Sequence, residues 1–142
     1  MKSVTQLIAG KSSEIWTVDP SQPVLDAIKC MAEKNIGALL VTRDKELVGI
    51  ISERDYARKI ILRGKSSSET PVSEIMSSNV IAVSPEDTID TCMALMTHNN
   101  IRHLPVLEGG KITGVLSIGD LVRETISDQQ QTIEHLEGYI MS

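Results

Sequence analysis

The chain has 142 residues, a formal net charge of −5 and only three aromatic side chains, one Trp and two Tyr. This length suits one ordinary domain, and 41% of hydrophobic residues can fill a folded core, which argues against a disordered chain. Three aromatic rings cannot build a base-stacking surface, and an acidic protein is poorly suited to phosphate backbones, so a nucleic-acid partner is not expected.

The composition also points to a compartment. No stretch approaches the roughly 18 apolar residues of a membrane span, and residues 1–6 lack the apolar run of a secretory signal. Cys30 and Cys92 lie far apart in the sequence among apolar neighbours, without zinc-ligand spacing. We expect reduced, buried thiols, no metal site and a cytoplasmic protein without a membrane partner.

The first half of the chain predicts a strand, a helix, a hairpin and a second helix. Residues 15–18 predict the strand, which Pro20 closes. Strands over 38–42 and 47–51 form the hairpin, and the second helix begins near Glu53. The first helix is indicated by apolar side chains at helical spacing, namely Val24, Ala27, Ile28, Met31 and Ala32.

The second half predicts the same order after a polar linker over 64–71. Residues 80–83 predict a strand, and the spacing of Ile89, Cys92, Met93 and Met96 predicts a helix. Strands over 103–107 and 112–116 flank Gly109-Gly110, which can supply positive φ angles, and another helix begins near Ile118.

The sequence repeats itself, because one constant shift aligns positions 18–56 with 83–121 without a gap. The segment Val4-x-x-Leu7-Ile8 also matches Val72-x-x-Ile75-Met76, at a slightly larger shift. A unit of about 60 residues buries too little surface alone, so the two copies should pack face to face. We divide the chain into repeat 1 (1–65), repeat 2 (66–126) and a C-terminal helical tail (127–142).

Each copy therefore has the order β-α-β-β-α. The strand Ile101-Arg102-His103-Leu104-Pro105-Val106 and the turn Gly114-Val115-Leu116-Ser117-Ile118-Gly119-Asp120 resemble a cystathionine-β-synthase (CBS) domain. Gly49-Ile50-Ile51-Ser52-Glu53-Arg54-Asp55 is the first copy's version. The two copies in register resemble a Bateman module, a stand-alone CBS pair of the bacterial type.

This resemblance implies an α/β (α+β) fold in which two repeats pack as a pseudo-two-fold module, extended by a C-terminal helix. It implies a regulatory homodimer that binds AMP, ADP, ATP, NAD or S-adenosylmethionine in clefts between the repeats, has no catalytic cofactor and acts on an unidentified protein. A scaffold or dimerisation module that has lost ligand binding is the alternative. An enzyme is the least supported reading, because no nucleophile or base constellation is evident.

The resemblance assigns Asp120 to the ribose and Ser117 to a phosphate. A carboxylate can accept hydrogen bonds from both ribose hydroxyls, and a hydroxyl at a helix start can help to hold a phosphate. Ser52 and Asp55 occupy the same positions in the first copy. A Ser-x-x-Asp motif at a helix start is also a capping arrangement, so both roles stay open.

Arg102 and His103 form the second group of candidates, which the resemblance directs to the phosphate region. A guanidinium suits phosphate, although a solvated Arg and a core His are the alternative. The first copy has Gly37-Ala38 instead, and carries Arg54 where the second has Gly119. We therefore expect inequivalent sites, with Arg54 and Arg102 converging on phosphates.

An adenine needs an apolar slot and backbone hydrogen bonds, which aliphatic walls can provide. The same residues can equally be plain core. The candidates are Thr17, Val18, Gly37, Ala38, Leu39, Ile81, Ala82, Leu104 and Pro105.

The tail carries one apolar face at helical spacing, which Gln129–Gln131 interrupts. This face either packs back on its own module or contacts a second copy. Its residues are Val122, Ile126, Ile133, Leu136 and Ile140.

Overall fold

The structure is a computed structural model that describes residues 3–10 and 14–141. The described residues form two compact units. The central unit comprises residues 15–80, and the terminal unit comprises residues 81–141 together with the described part of 1–14. The division predicted at residues 65 and 126 follows the sequence repeat, whereas these units follow the packing, so helix α1 (Val4–Ala9) lies in the terminal unit.

The central unit is a three-stranded sheet with helices beside it. The strand order is β1-β2-β3, with β1 parallel to β2 and β2 antiparallel to β3. A π-helical turn (Ala57–Ile61) continues α3, and a 3-10 turn (Val72–Glu74) follows the linker. The elements are β1 (Thr17–Val18), α2 (Val24–Lys34), β2 (Ala38–Arg43), β3 (Glu46–Ser52) and α3 (Glu53–Tyr56).

The terminal unit repeats this arrangement. Its helix α4 (Ile89–Asn99) and strands β4 (His103–Glu108) and β5 (Lys111–Ser117) begin and end at the counterparts of α2, β2 and β3. Helix α5 (Ile118–Met141) then runs for 24 residues where the central unit has only α3 and the π-helical turn. The repeat and the mixed α+β fold class are thus confirmed.

The hairpin turns have the same geometry but different residues. Gly109 and Gly110 have φ angles of +57° and +83°, as the twist of a two-residue hairpin requires. In the central unit Asp44 and Lys45 adopt +52° and +69° at these positions, although a lysine side chain disfavours that region. The sequence therefore predicted the second turn by its glycines and the first only by its length.

The matched segments that begin at Val4 and Val72 occupy equivalent places. The Val4 N–H donates to the Asp87 carbonyl (3.0 Å), and the Val72 N–H donates to the Gln22 carbonyl (2.8 Å). Both valines are buried. The first segment of repeat 1 therefore packs on the terminal unit, and the first segment of repeat 2 packs on the central unit.

These segments explain why both copies keep a glycine in the last strand of the hairpin. A Cβ at Gly49 would lie 2.5 Å from the Met76 sulfur, and one at Gly114 would lie 3.2 Å from the Ile8 side chain. Ile8 and Met76 occupy matched positions in the two segments. Each packs against the glycine of its strand, where a side chain on the strand would collide with it.

The strand predicted over 80–83 is wrong. Only Val83 pairs, by a single parallel bridge to Val106, with hydrogen bonds to Pro105 and from Leu107. The partner strand has Pro105 where the central unit has Leu40, and a proline has no N–H to extend the ladder. The first predicted strand is also shorter than expected, since only Thr17–Val18 pair with β2.

Each unit has its own aliphatic core, built from its helices and one face of its sheet. Most residues of the helical faces predicted from the spacing are buried, but Ile28 and Met93 are only partly buried and Ala32 is exposed. Cys92 lies in the core of the terminal unit, where burial raises the pKa of its thiol to about 11, and Cys30 is partly buried. The largest core residues are Leu39, Ile51 and Ile75 in the central unit and Ile89, Leu104, Leu116 and Leu121 in the terminal unit.

Helix α5 does not pack back on the units over its second half. Leu121 is buried and Thr125 donates a hydrogen bond toward the Met93 sulfur (3.7 Å), but residues 129–140 are exposed. The interpretation in which the tail covers its own module is therefore wrong. Within residues 3–10 and 14–141, no helix is both long and apolar enough to cross a membrane.

Candidate functional site

The Ser-x-x-Asp motifs lie at the junction of the last hairpin strand and the following helix in each unit. Asp120 Oδ2 accepts hydrogen bonds from the Ser117 backbone N–H (2.8 Å) and the Ser117 hydroxyl (3.0 Å). Asp55 Oδ2 accepts the same two bonds from Ser52, at 2.9 and 3.0 Å. The two motifs therefore have the same local geometry.

This geometry is a capping arrangement. The Ser117 hydroxyl accepts from the Asp120 N–H (3.2 Å), and the Ser52 hydroxyl accepts from the Asp55 N–H (3.2 Å). Each serine therefore already donates once and accepts once, and keeps one lone pair. The capping interpretation of the sequence is confirmed in both units, whereas the ribose and phosphate contacts stay predictions.

In both motifs a basic side chain forms an ion pair with the other oxygen of the aspartate carboxylate. Arg123 pairs with Asp120 Oδ1 (2.8 Å), and Lys59 pairs with Asp55 Oδ1 (3.2 Å). Sequence reasoning missed these two residues. Their spacings of three and four positions from the aspartate place them on the same helix face, and that signal would have found them.

The two basic residues are held very differently. The Lys59 amine also donates to the Ile75 carbonyl (2.8 Å), and only 32% of its side chain is exposed. Arg123 is 73% exposed, while Asp120 itself is only 11% exposed. An exposed ion pair of this kind contributes little free energy, so Arg123 can leave Asp120 at small cost.

Gly119 makes room for this arginine. A Cβ at Gly119 would lie 3.3 Å from the Arg123 Nη1 atom, so the guanidinium lies over the start of the helix. The central unit has Arg54 at the position of Gly119, and its counterpart of Arg123, Arg58, is exposed. The glycine and the arginine of the terminal unit thus act as a pair.

Arg102 and His103 lie beside the Ser–Asp motif of the same unit. His103 is the register partner of Ser117, and the Ile118 N–H donates to the Arg102 carbonyl (2.8 Å). In the central unit Ala38 is the register partner of Ser52, and the Glu53 N–H donates to the Gly37 carbonyl (3.1 Å). The backbone that pairs with the start of the last helix therefore carries Arg102 and His103 in the terminal unit, and the uncharged Gly37 and Ala38 in the central unit.

The remaining basic candidate, Arg54, lies in α3 and is partly buried. Because Arg54 and Arg102 belong to different units, their convergence on phosphates stays a prediction.

The adenine candidates divide by burial. Val18, Leu39 and Leu104 belong to the cores of their units, the role that the sequence left open for them. Ala38 and Pro105 are also buried. Thr17 is exposed, and three others are partly exposed: Gly37, Ile81 and Ala82. Only these last four present surface in the described structure, and their contact with a ligand stays a prediction.

Comparison with known proteins agrees with the repeat. The family model "CBS domain" matches residues 8–62 and 72–127. The chain is 43% identical over 140 residues to the mitochondrial CBS domain-containing protein CBSX3 of Arabidopsis thaliana, covering 92% of this chain and 67% of the relative.

Solved structures share the fold. A CBS-domain protein from Burkholderia ambifaria MC40-6 is 51% identical with a TM-score of 0.87, covering 90% of this chain and 96% of that one. The CBS domain pair of protein MJ0100 is 25% identical with a TM-score of 0.78, covering 87% and 99% of the two chains. That pair was solved in complex with 5′-methylthioadenosine and S-adenosyl-L-methionine.

Proposed function

Because the chain belongs to the CBS domain family and carries two CBS domains in tandem, we propose that it is a regulatory module for an adenosine-containing ligand. The ligand is AMP, ADP, ATP or NAD, and the chain catalyses no reaction of its own. The adenosine-containing ligands of the MJ0100 pair support this ligand class. Regulation requires that the ligand bind two states of the module unequally.

The observation that carries the proposal is that Asp120, in the first turn of α5, follows the strand end that pairs with the Arg102–His103 segment in the terminal unit. When Arg123 moves away, Asp120 Oδ1 accepts hydrogen bonds from a ribose, while Oδ2 stays with Ser117. The positive end of the α5 dipole and the Arg102 guanidinium attract a phosphate. The terminal unit is therefore our principal ligand site.

The central unit supplies a second, weaker site in this proposal. Asp55 is held by an amine that is itself anchored on Ile75, and Gly37 and Ala38 bring no charge. Thr17 of the central unit, and Ile81 and Ala82 of the terminal unit, present some surface and are proposed adenine contacts at the site of their own unit. Regulation then acts through an unidentified protein partner.

Calorimetry tests the proposal. We expect AMP, ADP, ATP, NAD or S-adenosylmethionine to bind with a Kd of roughly micromolar, about −8 kcal/mol. Asp120→Asn keeps an oxygen that can cap the helix but removes the charge, so it should weaken AMP binding at least about tenfold. Asp90→Asn, at an exposed position of α4 in the same unit, is the matched control and should leave AMP affinity unchanged.

The ribose contact has its own test. AMP and its 2′-deoxy form differ only in the 2′-hydroxyl, which would donate a hydrogen bond to Asp120. Equal affinities of the protein for these two ligands would therefore rule out that contact.

A scaffold function is the second candidate, and the complete capping geometry at both aspartates favours it. Capping alone explains why Ser and Asp stand at these positions. The absence of heat and of any thermal shift with all five ligands would support the scaffold.

We also propose a cytoplasmic location. The two cysteines are free thiols, and Cys92 is fully buried, as is usual for proteins in a reducing compartment. Fractionation of the source cells with an antibody against the chain would test this.

A further inference from the structure

Helix α5 carries a strip of exposed apolar side chains from Val122 to Ile140, which Gln129 interrupts. Together with Gln129, these residues recur with alternating steps of four and three positions, which is a period of 3.5. Their exposed fractions run from 42% at Val122 through 54% at Ile133 and Leu136 to 80% at Ile140. Scattered single apolar residues need no explanation, but a strip of this regularity does.

The strip has the pattern of a coiled-coil seam. Ile126, Ile133 and Ile140 take the a positions of the heptad, and Val122, Gln129 and Leu136 take the d positions. β-Branched residues at a together with leucine at d favour two parallel strands, and here isoleucine fills all three a positions while leucine fills the d position 136. A 3.5-residue repeat turns gradually around a straight helix, so such a strip is matched best by a second helix that supercoils with it.

Gln129, the polar residue of the strip, indicates that the strip packs against a second copy of this chain. Gln129 would lose its hydrogen bonds against an apolar groove, because a buried amide without a partner is costly. In a parallel pair in register it faces the same residue of the other copy, and each amide can donate to the other. A second copy of this chain therefore satisfies the one position that an unrelated apolar surface would not.

The charges on α5 are compatible with this pairing. Glu124, Asp128 and Glu134 take the outer f, c and b positions. The flanking e and g positions carry only two charges, on Arg123 and Glu137, and neither faces a like charge across a parallel pair. We propose that residues 122–140 of α5 pair with the same segment of a second copy in a parallel coiled coil.

This inference rests on the homodimer that the family resemblance implies, but not on ligand binding. Sedimentation of the full chain tests it with a matched pair of variants. Ile133→Asp places two charges face to face in the seam and should weaken dimerisation at least about tenfold. Gln131→Asp introduces the same residue two positions away on the outer f position, and should leave the dimer unchanged.

Cysteine cross-linking tests the orientation. In a parallel pair Gln129→Cys brings two thiols together and should give a disulfide-linked dimer under mild oxidation. Gln131→Cys points them outward and should give no more than the wild-type background from Cys30. Equal cross-linking of the two variants would overturn the seam.

Two further outcomes separate the seam from the homodimer. A dimer that survives Ile133→Asp overturns the seam and leaves the homodimer standing. A wild-type chain that is monomeric at every concentration overturns both.

Discussion

The central and terminal units share the same frame of helix and hairpin elements, and differ at a few positions around it. Pro105 replaces Leu40 and leaves the terminal unit without a paired first strand. Gly119 replaces Arg54 and gives Arg123 access to Asp120. In one repeated frame, therefore, the second oxygen of Asp55 pairs with an anchored amine, whereas that of Asp120 pairs with an exposed guanidinium that solvent can reach.

The largest expected effect concerns the segment that completes the terminal unit. Val4→Asp places a charge at a fully buried position, so we expect a loss of about 3 kcal/mol or more in the free energy of unfolding. Gln6→Glu adds the same charge to the exposed face of α1 and keeps the oxygen that caps Ser3. Its stability should stay within about 0.5 kcal/mol of wild type.

Cys92 provides the measurement. Burial raises the pKa of its thiol to about 11, so at pH 8 the folded terminal unit keeps it protonated and slow to react. Val4→Asp should speed its labelling, and labelling of Cys92 at the wild-type rate would show that α1 does not hold the terminal unit together.

The glycine pair comes next. Gly49→Ala brings a Cβ against the Met76 sulfur at 2.5 Å and the Ser77 carbonyl oxygen at 3.0 Å, so we expect a loss of about 1–3 kcal/mol. Gly114→Ala meets only the Ile8 side chain at 3.2 Å, which can shift, and should lose less than about 1 kcal/mol. Urea denaturation of both variants checks this order, and the reverse order would contradict the packing described here.

A smaller effect distinguishes the two basic residues. Lys59→Met removes a hydrogen bond to the Ile75 carbonyl together with a half-buried ion pair, so about 1 kcal/mol of stability should be lost. Arg123→Met removes only an exposed pair and should cost less than about 0.5 kcal/mol. Thermal unfolding of the two variants measures the difference. Equal losses would mean that the two aspartates are held alike.

The smallest expected effect tests the access to Asp120. Arg123→Ala should tighten adenosine binding about twofold, because the ribose no longer competes with an exposed ion pair of about 0.5 kcal/mol. Adenosine is the suitable probe since it has no phosphate for an arginine to contact. Arg43→Ala removes the same charge from an exposed position at the end of β2 in the central unit and should leave the affinity unchanged. Weaker binding in Arg123→Ala would make the arginine a ligand contact.

The helices and hairpins could be predicted because their apolar spacing and turn lengths are local signals. The match between the segments that begin at Val4 and Val72 was also visible in the sequence, as a repeat at a different shift. The absent strand at 80–83 was not predicted, because its cause, the missing N–H of Pro105, lies in another strand. The sequence also did not predict which unit each of these two segments packs on, because the residues that form its packing surface lie elsewhere in the chain.

At the candidate site the capping geometry of Ser117 and Asp120 followed from sequence, as did the inequivalence of the units. The ion pairs of Lys59 and Arg123 were missed although their spacing allowed them. The anchoring of Lys59 on Ile75 could not have been predicted, since it depends on how the chain returns after the linker. The local hydrogen bonds at the site could therefore be predicted from sequence, whereas the difference between the ion pairs of the two aspartates could not.

The position of α1 has a consequence for the order in which the protein forms during synthesis. The central unit has all of its residues once position 80 has been made, whereas the partner of Val4, Asp87, follows only after that whole unit. Such distant contacts form late, and the apolar residues that await them are exposed meanwhile. Among the described elements, α1 is synthesised first, whereas the terminal unit on which it packs is synthesised after the central unit.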